Sequence, residues 1–183
     1  MRNIPSVDLN DFMSTDIDKK KAFVNKLGKA YNEIGFVALK GHFLDDNDIK
    51  EVYSSIKEFF DLPEHIKAKY ELDGFDGQRG YTSFGKEHAK GKKHGDLKEF
   101  WHFGQYLDDD EYIKFNYPKN QIVTELPRFN NIGKKVFQSL EKTAIYVLRA
   151  ISLYLDLEED HFDKYVKKGN SILRPIHYPP IET

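Results

Sequence analysis

The stretch from Phe129 to Leu155 constrains the fold more than any other part of the chain. Phe129, Ile132, Val136, Leu140, Ala144, Val147, Ile151 and Leu155 recur at intervals of three and four, which places them on one face of a single long helix. So long an apolar stripe must be covered along its length, so the rest of the chain has to pack around it. The most apolar run, Ala144 to Leu155, contains Arg149 and falls short of the roughly 20 residues that span a bilayer. This helix therefore reads as the central support of a globular fold. At 183 residues, with 39% hydrophobic content, the chain suits one packed domain.

Shorter elements precede that helix. Ile4 to Leu9 reads as a strand, and Thr15 with Asp18 three residues later resembles a capping box. Phe23, Leu27, Tyr31 and Ile34 then form an apolar helical face that stops at Gly35. "GFVALKGH" reads as a buried strand. Ile49, Val52, Tyr53, Ile56, Phe59 and Phe60 mark a second amphipathic helix, and Pro63 fits the first turn of a third that ends near Tyr70. Residues 71–97, punctuated by glycines and rich in lysine, read as a long surface loop. Glu99 to Phe103 is expected to be a strand, with Glu99, Trp101 and Phe103 on one side and Phe100 and His102 on the other. Asp156 to Lys167 allows one or two helical turns, and "SILRPIHY", Ser171 to Tyr178, reads as a last strand.

Charge excludes some functions. Lys+Arg 28 against Asp+Glu 30 leaves a net charge of -2, so no global field draws the chain to nucleic acid or to an anionic membrane. Lysines 86, 90, 92, 93 and 98 form a local basic patch, but few aromatics are interleaved with them, and nucleic-acid binding is not expected. The opening "MRNIPSVDL" lacks an apolar signal core and the chain has no cysteine, which points to a cytoplasmic protein.

Two H-x-D triplets raise the question of a metal. His94-Gly95-Asp96 and His161-Phe162-Asp163 could each supply two ligands of a 2-His-1-carboxylate iron site, with a further histidine such as His102 or His177 as the third. His94 lies in the Gly-rich loop, which lacks the rigid supporting contacts that orient metal ligands. His161 follows "LDLEED" at an expected helix start, where acidic residues complement the helix dipole. Neither triplet is expected to bind metal.

The segments "IPSVDL", "IGFVALKGH", "FFDLPEHIKAKY", "RGYTSFG", "DLKEFWHFG" and "ILRPIHYPP" occur in an order that resembles the isopenicillin N synthase-like branch of the 2-oxoglutarate and iron(II)-dependent dioxygenases. The resemblance implies an α+β fold: residues 1–170 as the helical N-terminal dioxygenase region, with the long loop at 71–97, and residues 171–183 as the first strand of an incomplete jelly-roll. In the family the iron ligands and an Arg-x-Ser motif follow the "YPP" strand, and this sequence stops at Thr183 before them. The resemblance therefore implies no catalytic or metal-ligating residue within the chain, and little binding of Fe(II) or 2-oxoglutarate by the chain alone.

Tyr178 resembles the family tyrosine that hydrogen-bonds 2-oxoglutarate, or the substrate carboxylate in the synthase. A phenol suits that role because it donates to an anion while its ring packs. The alternative is a structural strand tyrosine. Arg174, four residues earlier, could hold an anionic substrate group or form a structural ion pair. Arg79 and Tyr81 resemble the loop over the substrate, with a solvated loop tip as the alternative. Glu99 and Trp101 could line the same pocket, and Trp101 could equally be plain core. The implied function is the N-terminal part of an Fe(II)/2-oxoglutarate oxygenase that hydroxylates, desaturates or cyclises a small molecule. A variant uses oxygen without 2-oxoglutarate, and a reading from another class is a non-catalytic helical interaction module. The isolated chain is expected to be marginal or to self-associate.

Overall fold

The computed structural model describes residues 3–75, 77–88 and 95–180. Along the chain run β1 (Ser6–Asp8), α1 (Leu9–Phe12), α2 (Ile17–Glu33), β2 (Ala38–Lys40), α3 (Asp46–Phe60), α4 (Glu64–Lys67), β3 (Gly80–Thr82), β4 (Glu99–Gly104), α5 (Asp109–Phe115), α6 (Pro127–Tyr154), α7 (Asp163–Val166), β5 (Ile172–Leu173) and β6 (Ile176–His177). Two compact units emerge: Met1–Asp45 with Gln138–Lys167, and Asp46–Phe137 with Lys168–Thr183. The expected long helix is α6, which contributes to both; its stripe is buried at Phe129, Ile132 and Val136, but Leu140 and Leu155 are 40% and 53% exposed, so it is not covered along its whole length.

In the first unit, β1 pairs in parallel with β2 through Ser6↔Ala38, Val7↔Leu39 and Asp8↔Lys40. "GFVALKGH" is thus a strand, but not a buried one. Ala38 and Lys40 are exposed, on the outer side of this short two-stranded ribbon. Helix α2 is capped at Asp16 and not at Thr15: its carboxylate accepts from the backbone N–H groups of Asp18 at 3.0 Å and Lys19 at 3.3 Å. A charged acceptor satisfies two otherwise unpaired donors here. Leu9, Phe12, Phe23, Val24, Leu27 and Ala150 form the core. The 156–167 segment yields only the one turn of α7, and Asp163 pairs with Arg149 at 2.6 Å.

In the second unit β4 is the centre of an antiparallel sheet. It pairs with β3 (Gly80↔His102, Tyr81↔Trp101, Thr82↔Phe100) on one side and with β5 (Phe103↔Leu173) and β6 (Glu99↔His177, Phe100↔Ile176) on the other. The expected single strand "SILRPIHY" is broken in two at Arg174–Pro175. Proline has no N–H to give to a ladder, and instead the Pro175 carbonyl accepts from the Trp101 N–H at 3.0 Å. The expected loop 71–97 contains β3, and α5 was not expected at all.

Phe59, Trp101, Phe103 and Phe129 lie at the centre of this unit's core. Phe59 and Phe129 stack at 4.9 Å, and Trp101 meets Phe129 edge-on at 5.1 Å. Such pairs add about 0.5–1.5 kcal/mol each beyond their burial. A Cβ built on Gly133 of α6 would lie 2.3 Å from the Phe103 ring, so a glycine in mid-helix is what admits that ring.

Candidate functional site

Strand alternation gives the sheet of the second unit two chemically distinct sides. Glu99, Trp101 and Phe103 share one side with their partners Tyr81, His177 and Leu173. Phe100 and His102 share the other with Thr82 and Ile176. Arg174 reaches this second side, where it meets His102.

The first side packs on the aromatic core and encloses a charged group. Glu99 is 4% exposed. Its carboxylate accepts from Lys67 Nζ at 2.6 Å and from the Tyr81 hydroxyl, and lies 2.7 Å from His177 Nδ1. Lys67 also donates to the Phe60 carbonyl at 3.3 Å, and the His177 ring stacks on Phe60 at 5.2 Å. Burial alone would raise the Glu99 pKa, but the hydrogen bonds from Lys67, Tyr81 and His177 outweigh it and hold the carboxyl below its usual range. Burial, with Glu99 next, pushes the Tyr81 phenol well above its usual value, so it remains a donor. An ionised carboxylate only accepts, so His177 carries its proton on Nδ1.

The second side carries a different group: Phe100, His102 and Thr82 are buried on it, and Arg174 at its edge is exposed. His102 donates from Nδ1 to the Gly77 carbonyl and accepts at Nε2 from Arg174 Nε. The Arg174 guanidinium lies over the Phe100 ring, 4.4 Å from its centre, and Nη1 is 3.6 Å from Glu87 Oε1. Burial first, then the Arg174 charge, pushes the His102 pKa down to about 4, which keeps the imidazole neutral. Beside this group lies a cavity of about 400 Å³ lined by Gly77, Tyr81, Thr82, Lys86, Glu87 and Phe100 among others. The Thr82 hydroxyl is buried without a hydrogen-bond partner among the described residues. Tyr178 is 67% exposed.

The residues singled out from sequence therefore separate. Arg174 lies on the second side, whereas Glu99 and Trp101 lie on the core side with Tyr81, which also lines the cavity; Tyr178, beyond the end of β6, is exposed. Arg79 is fully buried elsewhere in the unit, donating from Nη1 to the Gln78 carbonyl at 2.6 Å and from Nη2 to Asn170 at 2.7 Å. Burial lowers its pKa from the usual guanidinium value. The loop histidine His94 and Lys90, Lys92 and Lys93 lie outside the described residues. Lys86 pairs with Glu71 at 2.7 Å, and Lys98 with Glu87 at 2.6 Å. Sequence reasoning did not single out Lys67, Thr82, Phe100 or Glu87. For Phe100 and His102 the strand alternation was the available signal; for Lys67 there was none, since its partner is 32 residues away.

Among the described residues no group of three or more His, Asp or Glu side chains stands where it could hold a metal ion. These residues do not form a family iron site, and no iron-dependent step is assigned to them. Among the described residues, too, no helix is long and apolar enough to cross a membrane.

Comparison with known proteins supplies the family. A 2OG-Fe(II) oxygenase family protein from Caulobacter crescentus superposes with a TM-score of 0.85 and 37% identity, covering 100% of this chain and 58% of that one. A full-length Neurospora crassa protein, solved in complex with alpha-KG, has the same fold (TM-score 0.78, 24% identity, 96% of this chain and 51% of that one). A 2-oxoglutarate-Fe(II) type oxidoreductase from Metarhizium rileyi is 28% identical over 98% of this chain and 52% of its own length. A 1-aminocyclopropane-1-carboxylate oxidase from Dictyostelium mucoroides is 27% identical over 98% of this chain and 50% of its own. The chain thus spans about half the length of the curated relatives it matches. Residues 4–125 match the family described as the N-terminal region of the non-haem dioxygenase in morphine synthesis, and the chain belongs to the 2-oxoglutarate/Fe(II) dioxygenase family that its sequence resembles.

Proposed function

We propose that this chain forms the N-terminal region of a cytoplasmic non-haem oxygenase that oxidises a small molecule with 2-oxoglutarate and Fe(II). In such an enzyme the iron centre activates oxygen when bound. This chain's own residues bind, orient and shield. The observation that carries the reading is the cavity of about 400 Å³ lined by Tyr81, Thr82 and Phe100, with Arg174 over the Phe100 ring and the exposed Tyr178 just after β6. A guanidinium and a phenol both donate to anions, and the neighbouring Phe100 supplies an apolar wall.

Tyr178 is the residue suited to a 2-oxoglutarate carboxylate and Arg174 to the substrate. Tyr81, Glu99 and Trp101 act on this site from behind, by fixing β4 and β6 against the core. Arg79 holds β3 to the segment at Asn170. A calorimetric titration of 2-oxoglutarate into the full gene product tests the assignment. Tyr178→Phe is expected to weaken binding by about 0.5–1.5 kcal/mol, or about 3 if the hydroxyl meets a carboxylate. Unchanged binding would remove Tyr178 from the site.

A further inference from the structure

Arg174 is held in an unusual way for a cation. Its Nε donates to a neutral imidazole, and its guanidinium face rests on Phe100 at 4.4 Å. Together these two contacts fix the plane of the group. They leave the Nη1–Nη2 edge, where Nη1 has only Glu87 Oε1 at 3.6 Å and Nη2 has no partner among the described residues. That edge is the planar fork that takes an oxyanion through two parallel hydrogen bonds.

The choice of acceptor matters. A carboxylate on Nε would also orient the guanidinium, but it would cancel the charge that a ligand needs. An imidazole with its Nδ1 proton committed to the Gly77 carbonyl presents a lone pair and no charge. His102 is 3% exposed and packed 4.8 Å from Phe100, so it cannot swing away, and burial keeps it neutral. Glu87 is a weak competitor. It lies on the loop that lines the cavity, is 35% exposed, and is tied through its other oxygen to Lys98 at 2.6 Å. Exposed pairs of this kind are worth little, so a ligand anion can displace it.

We propose that His102 is a positioning residue: as a neutral acceptor it fixes Arg174 so that its free edge binds the acid group of the substrate, which makes that substrate a small organic anion. This rests on the oxygenase reading, in which Arg174 is a substrate contact. 2-Oxoglutarate and the substrate both offer such an acid group, and the two are separated by experiment.

The probe is methanesulfonate, titrated by calorimetry into the full gene product with and without saturating 2-oxoglutarate. Binding is expected in both conditions and should be lost in Arg174→Ala. His102→Leu should weaken it about tenfold, the loss expected for one hydrogen bond to a charged group, and His102→Gln, which restores an acceptor oxygen, should recover most of it. In the wild-type protein, nitrogen-15 spectra should show the His102 proton on Nδ1 and a coupling from Arg174 Nε–H to Nε2. This holds the proposal to account even if the variants fold poorly. Binding that survives Arg174→Ala would overturn the reading of Arg174 as a ligand contact. Binding lost in Arg174→Ala but unchanged in His102→Leu would overturn the role of His102 alone. Displacement of the probe by 2-oxoglutarate would overturn the assignment to substrate, and a His102 proton on Nε2 would overturn the positioning geometry.

Discussion

Lys67 Nζ lies 2.6 Å from Glu99 Oε2, with side chains only 7% and 5% exposed, so a full ion pair is enclosed between α4 and the central strand of the sheet. Enclosing two charges is costly, and breaking such a pair leaves one of them unpaired. Lys67→Met is expected to destabilise the protein by about 3–5 kcal/mol in urea denaturation. Lys67→Met with Glu99→Leu should recover much of that loss, because neither member of the pair is then left charged without the other.

His102 makes stability fall as the solution is acidified. Its pKa in the fold is pushed down to about 4, below the value of about 6.5 for a free histidine. Between these values the unfolded chain takes up a proton that the folded chain refuses, so stability is retained above about pH 6.5 and lost progressively toward pH 4. The total is about 3 kcal/mol. Thermal or urea unfolding across this window should show the slope, and His102→Gln should flatten it. A slope unchanged by the substitution would place the titrating group elsewhere.

Gly133→Ala sets helix propensity against packing. Alanine favours a helix by about 1 kcal/mol over glycine. Its methyl group would lie 2.3 Å from the buried Phe103 ring, where overpacking costs about 1–3 kcal/mol. The melting temperature is expected to fall. A rise would mean that Phe103 has room to move.

Ile172 and Ile176 are 38% and 41% exposed on the outer strands β5 and β6. Exposed apolar strand edges invite pairing between copies, so sedimentation of the 183-residue chain at several concentrations should show association. Ile176→Lys should reduce it. A concentration-independent monomer would count against this.

Legibility in the sequence followed the reach of each interaction. Helix α6 was readable because its apolar stripe is local and repeated, and β4 because Glu99-Phe100-Trp101-His102-Phe103 alternates with period two. Strand β3 was hidden: three residues at Gly80 to Thr82 are too few to show alternation, and the glycines around them read as loop. Helix α5 was hidden too, since its acidic start at Asp109 looks like a solvated turn. The side of the sheet that each candidate faces was legible for Glu99 and Trp101. That this side is the core was not, because it depends on Phe59, Phe60 and Phe129, which are distant in sequence. Lys67 and the Arg174–His102 bond depend on partners 32 and 72 residues away, beyond any local pattern.

The oxygenase reading is tested most directly by succinate release. The full gene product, given Fe(II) under anaerobic conditions with 2-oxoglutarate and then oxygen, should form succinate, and Tyr178→Phe and Arg174→Ala should lower the rate. The 183-residue chain alone should form none. Succinate made by the isolated chain and abolished by His94→Ala or His161→Ala would contradict this account, because it would place the iron at one of the two H-x-D triplets.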